Sequence, residues 1–149
     1  VADAAPVPEH ARRLAEQLLE DDAEATPVIP LMRGGRKPLF LTFPLDVPAD
    51  AYAIGIDDDA MSPLYNPGDL VVVAPHTNPP PASDCLVSFR HASPLFRRCY
   101  PDPDSRTLRL QPLNYVFRPA EHARSSIESL APALFHIRRA APAESPADL

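Results

Sequence analysis

A chain of 149 residues has room for one domain, and its net charge of −6 (20 acidic against 14 basic side chains) argues against holding nucleic acid by its own surface. An apolar share of 45% supplies a core without disulfides or metal, so Cys85 and Cys99, whose spacing fits no zinc or redox motif, read as reduced residues of a cytoplasmic protein. No run approaches the roughly 18 apolar residues of a membrane helix, no signal-peptide pattern opens the sequence, and neither a metal nor a cofactor is expected.

Residues 1–6 are small and proline-containing and are expected to be disordered. From Pro8 the pattern turns helical: Val7, Ala11, Leu14, Ala15, Leu18 and Leu19 fall on one stripe, with Pro8 and Glu9 suited to a first turn. Glu20, Asp21, Asp22 and Glu24 oppose the dipole at the far end, so this helix should fray before Thr26. Residues 7–25 therefore read as a helix and an acidic linker, packed on its own domain or connecting to a preceding module.

After Thr26 the period shortens. Apolar runs at Val28–Met32 and Pro38–Phe43 flank Arg33-Gly34-Gly35-Arg36. Further strand candidates lie at 51–57, 69–74, 84–90, 94–100, 107–112 and 130–138, separated by turn-rich segments such as Asn78–Pro81 and Pro101–Asp104. Short strands at this spacing predict a mainly β, largely antiparallel domain over residues 26–139. Met61–Asn66 is expected to form a single helical turn, and residues 140–149 a loose tail. Three short basic groups (Arg33 with Arg36 and Lys37, Arg97 with Arg98, Arg138 with Arg139) read as solvated surface.

Chemistry concentrates in the polar elbow between two apolar strands, Asp57-Asp58-Asp59-Ala60-Met61-Ser62-Pro63. Consecutive strand residues alternate faces, so the three aspartates do not converge on a metal. Ser62 offers a hydroxyl, but a serine before Pro63 ordinarily starts a turn. His91 and Ser93 fall at a hairpin tip, and His136 reads as a satisfied strand histidine.

In order and spacing these segments resemble the LexA-like serine peptidases, the self-cleaving domains of LexA-type and lambda-type repressors and of UmuD. The family's elbow reads Gly-Asp-Ser-Met, then Pro-Gly-Asp and a hydrophobic strand; Asp59, Met61, Pro67, Gly68 and Asp69 match it, while Asp58 replaces the Gly and Ala60 the Ser. Asp84–Arg90 and Pro94–Cys99 resemble the hairpin whose second strand carries Lys-Arg, with Arg97 at the Lys position and Arg98 at the Arg. Ile29–Leu39 resembles the segment holding the scissile bond, to which Gly34–Gly35 is the nearest match. Leu108–Phe117 is similar to the strand-plus-Asn segment and Leu134–Arg139 to the closing strand, so the resemblance spans residues 27–139.

The resemblance implies a LexA-like fold of short antiparallel strands with one N-terminal helix, and a Ser–Lys dyad whose two positions are replaced. Ala60 brings no nucleophile. A guanidinium with a pKa near 13 is neutral in only about one part in a million at neutral pH, a shortage worth ~8 kcal/mol for a general base at Arg97. Three departures at matching positions suggest natural loss of cleavage. The alternatives are a self-cleaving peptidase trapped by an engineered Ser-to-Ala change and a UmuD-like stand-alone adaptor.

The family's domain is also a dimerisation unit, which in repressors follows a helix-turn-helix domain. The resemblance thus implies a homodimer, with Leu130, Leu134, Phe135 and Ile137 as interface candidates, unless that segment is an internal strand. DNA would be reached only through a helix-turn-helix domain outside this chain. An antirepressor or another regulatory protein could fill the old cleft, lined by Asp59, Met61, Ser62, Gly68 and Asp69.

Overall fold

The structure, a computed structural model, describes residues 9, 12, 13, 28–32, 39–42, 46–76, 78–138 and 140. Glu9, Arg12 and Arg13 are helical, and Arg13 meets Glu9 at 3.3 Å. The rest of the expected helix and acidic linker, the Gly34–Gly35 segment and the expected tail lie outside the described residues.

Nine strands are described: β1 Val28–Met32, β2 Leu39–Thr42, β3 Tyr52–Gly55, β4 Leu70–Val73, β5 Ser83–Phe89, β6 Leu95–Asp102, β7 Thr107–Gln111, β8 Ala120–Ala123 and β9 Ile127–Ile137. They form one sheet in the order β2-β1-β3-β4-β9-β5-β6-β7-β8. The fold is mainly β, as the sequence predicts. Among the described residues no helix is long and apolar enough to cross a membrane. Pairing is antiparallel except between β1 and β3, which run parallel with Leu31 opposite Ala53.

The 11-residue β9 joins two halves of the sheet. Its first part pairs with β5 from Phe89–Ile127 to Cys85–Pro132, and its last part pairs with β4 from Val73–Ala133 to Leu70–Ile137. The change of neighbour falls at Pro132, which has no N–H to give either ladder but accepts from the Ala74 N–H through its carbonyl.

Strand alternation sorts the core into three groups. Ala53 and Val72 face one way, with Ile29, Ala51 and Ala74. Tyr52, Ile54, Val71 and Val73 face the other, where they meet Leu86, Phe96 and Ala131 from beyond β9. Cys85, Val87, Phe89, Cys99, Leu108 and Leu110 form the third group, and both cysteines are free and buried there. The central group belongs to both halves, and the elbow between β3 and β4 plugs into it through Met61 and Tyr65.

Candidate functional site

The elbow is pinned at its base before it does anything else. Ile56 donates its N–H to the Asp69 carbonyl at 2.9 Å, and Gly68 returns one to the Ile56 carbonyl at 2.9 Å. Gly68 sits at φ 93°, a left-handed geometry that a side chain would strain. Asp69 is buried, and its Oδ2 accepts the Asn66 N–H at 2.9 Å and lies 2.8 Å from His136 Nε2 on β9. Pro67, Gly68 and Asp69 therefore close the loop. His136 is a satisfied strand histidine, its ring also 4.6 Å from that of Tyr65.

Between these pins the chain makes one helical turn, with the Tyr65 N–H bonded to the Met61 carbonyl at 3.0 Å. Ser62 Oγ is spent inside this turn, donating to Asn66 Oδ1 at 2.8 Å and lying 3.3 Å from the Tyr65 carbonyl. It starts the turn and is not aimed at a base. Tyr65 reaches across to β5, its hydroxyl donating to Asp84 Oδ2 at 2.9 Å, and its ring meets Phe96 edge-on at 4.8 Å. Burial and the Asp84 bond push the Tyr65 hydroxyl above its usual pKa, so it stays a donor.

Ala60 has no solvent exposure. Its N–H and carbonyl, and the Asp59 carbonyl before it, are all hydrogen-bonded. The loop after β7 crosses it: Asn114 N–H donates to the Ala60 carbonyl at 2.9 Å, and Asn114 Nδ2 to the Asp59 carbonyl at 3.1 Å. The Ala60 N–H itself donates to Asp58 Oδ1 at 3.1 Å.

Asp58 also turns its other oxygen toward β6, where Oδ2 lies 4.0 Å from Arg97 Nη1. Arg97 is largely buried. Its Nη1 donates to the Phe96 carbonyl at 2.7 Å, and its guanidinium stands 5.9 Å from the centre of the Phe117 ring. Burial lowers the Arg97 pKa, and the Asp58 and Asp57 carboxylates pull it back up. Asp58 thus sits between Ala60 and Arg97 and touches both.

The sequence marked Ala60 and Arg97 as corresponding positions, and the fold brings both to one carboxylate. It brings Asp59, Met61, Ser62, Gly68 and Asp69 into the same elbow. Neither the bridging role of Asp58 nor the clamp from Asn114 was foreseen. The signal for the first was an Asp two residues before a turn N–H, a familiar side-chain-to-backbone pattern. His91 and Ser93 are exposed in the β5–β6 connection, away from this group. Of the four candidates on β9, Leu130 is buried opposite Val87, Phe135 packs against the β1–β3–β4 group, and Leu134 and Ile137 stand 40% and 41% exposed.

No curated protein matches the chain. A family model described as Peptidase S24-like matches residues 29–133, from β1 through most of β9. That span takes in the elbow, the Arg97 strand and the Asn114 loop, so the chain belongs to the Peptidase S24-like family, that of LexA and UmuD.

Proposed function

We propose that this chain is the C-terminal dimerisation and regulatory domain of a transcriptional repressor that has lost self-cleavage. One observation supports the reading: Ala60 and Arg97, which the resemblance puts at the nucleophile and base positions, offer a buried methyl group and a guanidinium, brought to one carboxylate. A Ser–Lys peptidase needs a hydroxyl and a neutral amine within hydrogen-bond reach. Burial lowers the Arg97 pKa and the Asp58 and Asp57 carboxylates oppose that shift, but a guanidinium starts so basic that it stays charged, the opposite of what a general base requires.

Without cleavage, the domain's remaining work is to hold protomers together. Pairing two weak DNA-reading heads makes the second contact nearly intramolecular, which raises affinity by about 10²–10⁴. A two-fold pair also suits a two-fold operator. Leu134 and Ile137, exposed on β9, are the side chains this reading assigns to the contact. Release from DNA would then come from an antirepressor or another protein seated over the elbow, and not from self-proteolysis.

The purified chain, held at about pH 9 or with an activated recombinase filament, should stay intact and sediment as a dimer, with Leu134→Asp or Ile137→Asp shifting it to monomer. A fragment beginning near Gly35 overturns the loss of cleavage. A wild-type monomer at micromolar concentration overturns the dimerisation role.

A further inference from the structure

We infer that Asp58 is a stopper for the oxyanion-binding donor of this site, a third lock that outlasts repair of the nucleophile and the base. The inference rests on the reading of a silenced peptidase and deepens it, because it says what else must change before the site could react.

Acyl transfer needs more than an attacking oxygen and a proton acceptor. Negative charge grows on the carbonyl oxygen, and fixed N–H donors must meet it; the backbone N–H of the nucleophile residue is a recurrent donor of this kind. Here that N–H belongs to Ala60, and Asp58 Oδ1 already takes it at 3.1 Å. The occupant fills the donor, so an incoming oxyanion would find it already taken. Its backbone partner is fixed, because Asn114 holds the Ala60 carbonyl at 2.9 Å, and Asp58 Oδ2 faces the Arg97 guanidinium at 4.0 Å.

The same hydrogen bond builds the local turn, since an Asp side chain that bonds the N–H two residues on is a common way to start one. Building the turn and stopping the donor are therefore one act. A glycine, which is what the resembled pattern has at this position, would leave the N–H unclaimed.

The test uses the whole chain and a fluorophosphonate ester, a probe that reports a competent serine. The hydroxyl introduced by Ala60→Ser attacks phosphorus, its proton passes to the amine introduced by Arg97→Lys, and fluoride leaves as the new P–O bond forms. Labelling is followed by mass spectrometry in A60S/R97K, D58G/A60S/R97K and D58N/A60S/R97K. The glycine variant should label about 10²–10³ times faster than the two-site variant, the usual effect of one oxyanion donor. The asparagine variant keeps the acceptor oxygen and should stay close to the two-site rate. D58A/A60S/R97K repeats the comparison without the added backbone freedom of glycine.

Labelling of the two-site variant within about threefold of both the glycine and alanine variants, including none in all of them, overturns the inference. An asparagine variant as fast as the glycine one also overturns it, because charge and not occupancy would then be responsible. Labelling or self-cleavage of the unaltered chain overturns instead the underlying reading of a silenced site.

Discussion

Two arginines one residue apart on β6 occupy opposite kinds of surroundings. Arg98 grips Asp84 with both arms of its fork, Nε to Oδ1 at 2.8 Å and Nη2 to Oδ2 at 3.1 Å, directly across the β5–β6 ladder. Tyr65 donates to the same carboxylate at 2.9 Å, so the pair ties the elbow to the sheet. The Asp84 bond raises the Arg98 pKa, whereas burial lowers that of Arg97. Arg97 stands opposite Cys85, makes one short bond to a neighbouring carbonyl, and meets its carboxylate only at 4.0 Å. Geometry, not residue type, separates a structural clamp from a cation held mainly by burial. A planar fork matched to a carboxylate gives direction and strength, while a single long contact gives little of either.

The comparison breaks most visibly if the Arg98 side loses its clamp. Arg98→Met leaves Asp84 shielded and short of two donors, and should cost about 2–3 kcal/mol in chemical denaturation, with Arg98→Lys recovering only part of it. Next in size comes alkaline unfolding. Burial and, less strongly, Asp50 push the Tyr52 hydroxyl up to about 12 from 10.0. A pKa raised by folding gives stability that is complete below the unfolded value and is lost as pH climbs through the folded one. Stability should therefore hold to about pH 10 and fall by about 2–3 kcal/mol toward pH 12, as tyrosinate absorbance appears with unfolding and not before it. Tyr65 shifts in the same direction and steepens the loss. The smallest effect belongs to Arg97→Met, which should change stability by no more than about 1 kcal/mol, because a poorly paired buried cation costs about as much as it returns. A loss at Arg97 equal to that at Arg98 would erase the contrast.

Most of the sheet could be read in advance because its strands announce themselves. Val71, Val72 and Val73 are buried on both faces, and β5 is a continuous buried run from Cys85 to Phe89 that ends at an exposed tip. β8 escaped notice because Ala120–Ala123 is a short edge strand, largely exposed, whose residues carry neither β-branching nor alternation. The parallel pairing of β1 with β3 is a matter of long-range placement that no local pattern encodes. At the site, the sequence named Ala60 and Arg97, and the fold brings both to one carboxylate. What the sequence withheld was direction. Three adjacent aspartates look alike on paper, and only the fold selects Asp58 to face Ala60 and Arg97 while Asp57 and Asp59 stay exposed. Asn114 was quoted as part of a resembled segment, yet its clamp spans 55 residues of sequence separation.

The placement of β9 carries a last consequence. A strand hydrogen-bonded to β4 along one stretch and to β5 along the next is a common spine. Each flank takes its own stretch of that one strand, and both pack into the same central apolar group, where Val71 and Val73 meet Leu86 and Ala131, so the sheet should melt as one cooperative unit. A second protomer gripping Leu134 and Ile137 would brace that spine and, through the adjoining His136–Asp69 contact, the elbow as well.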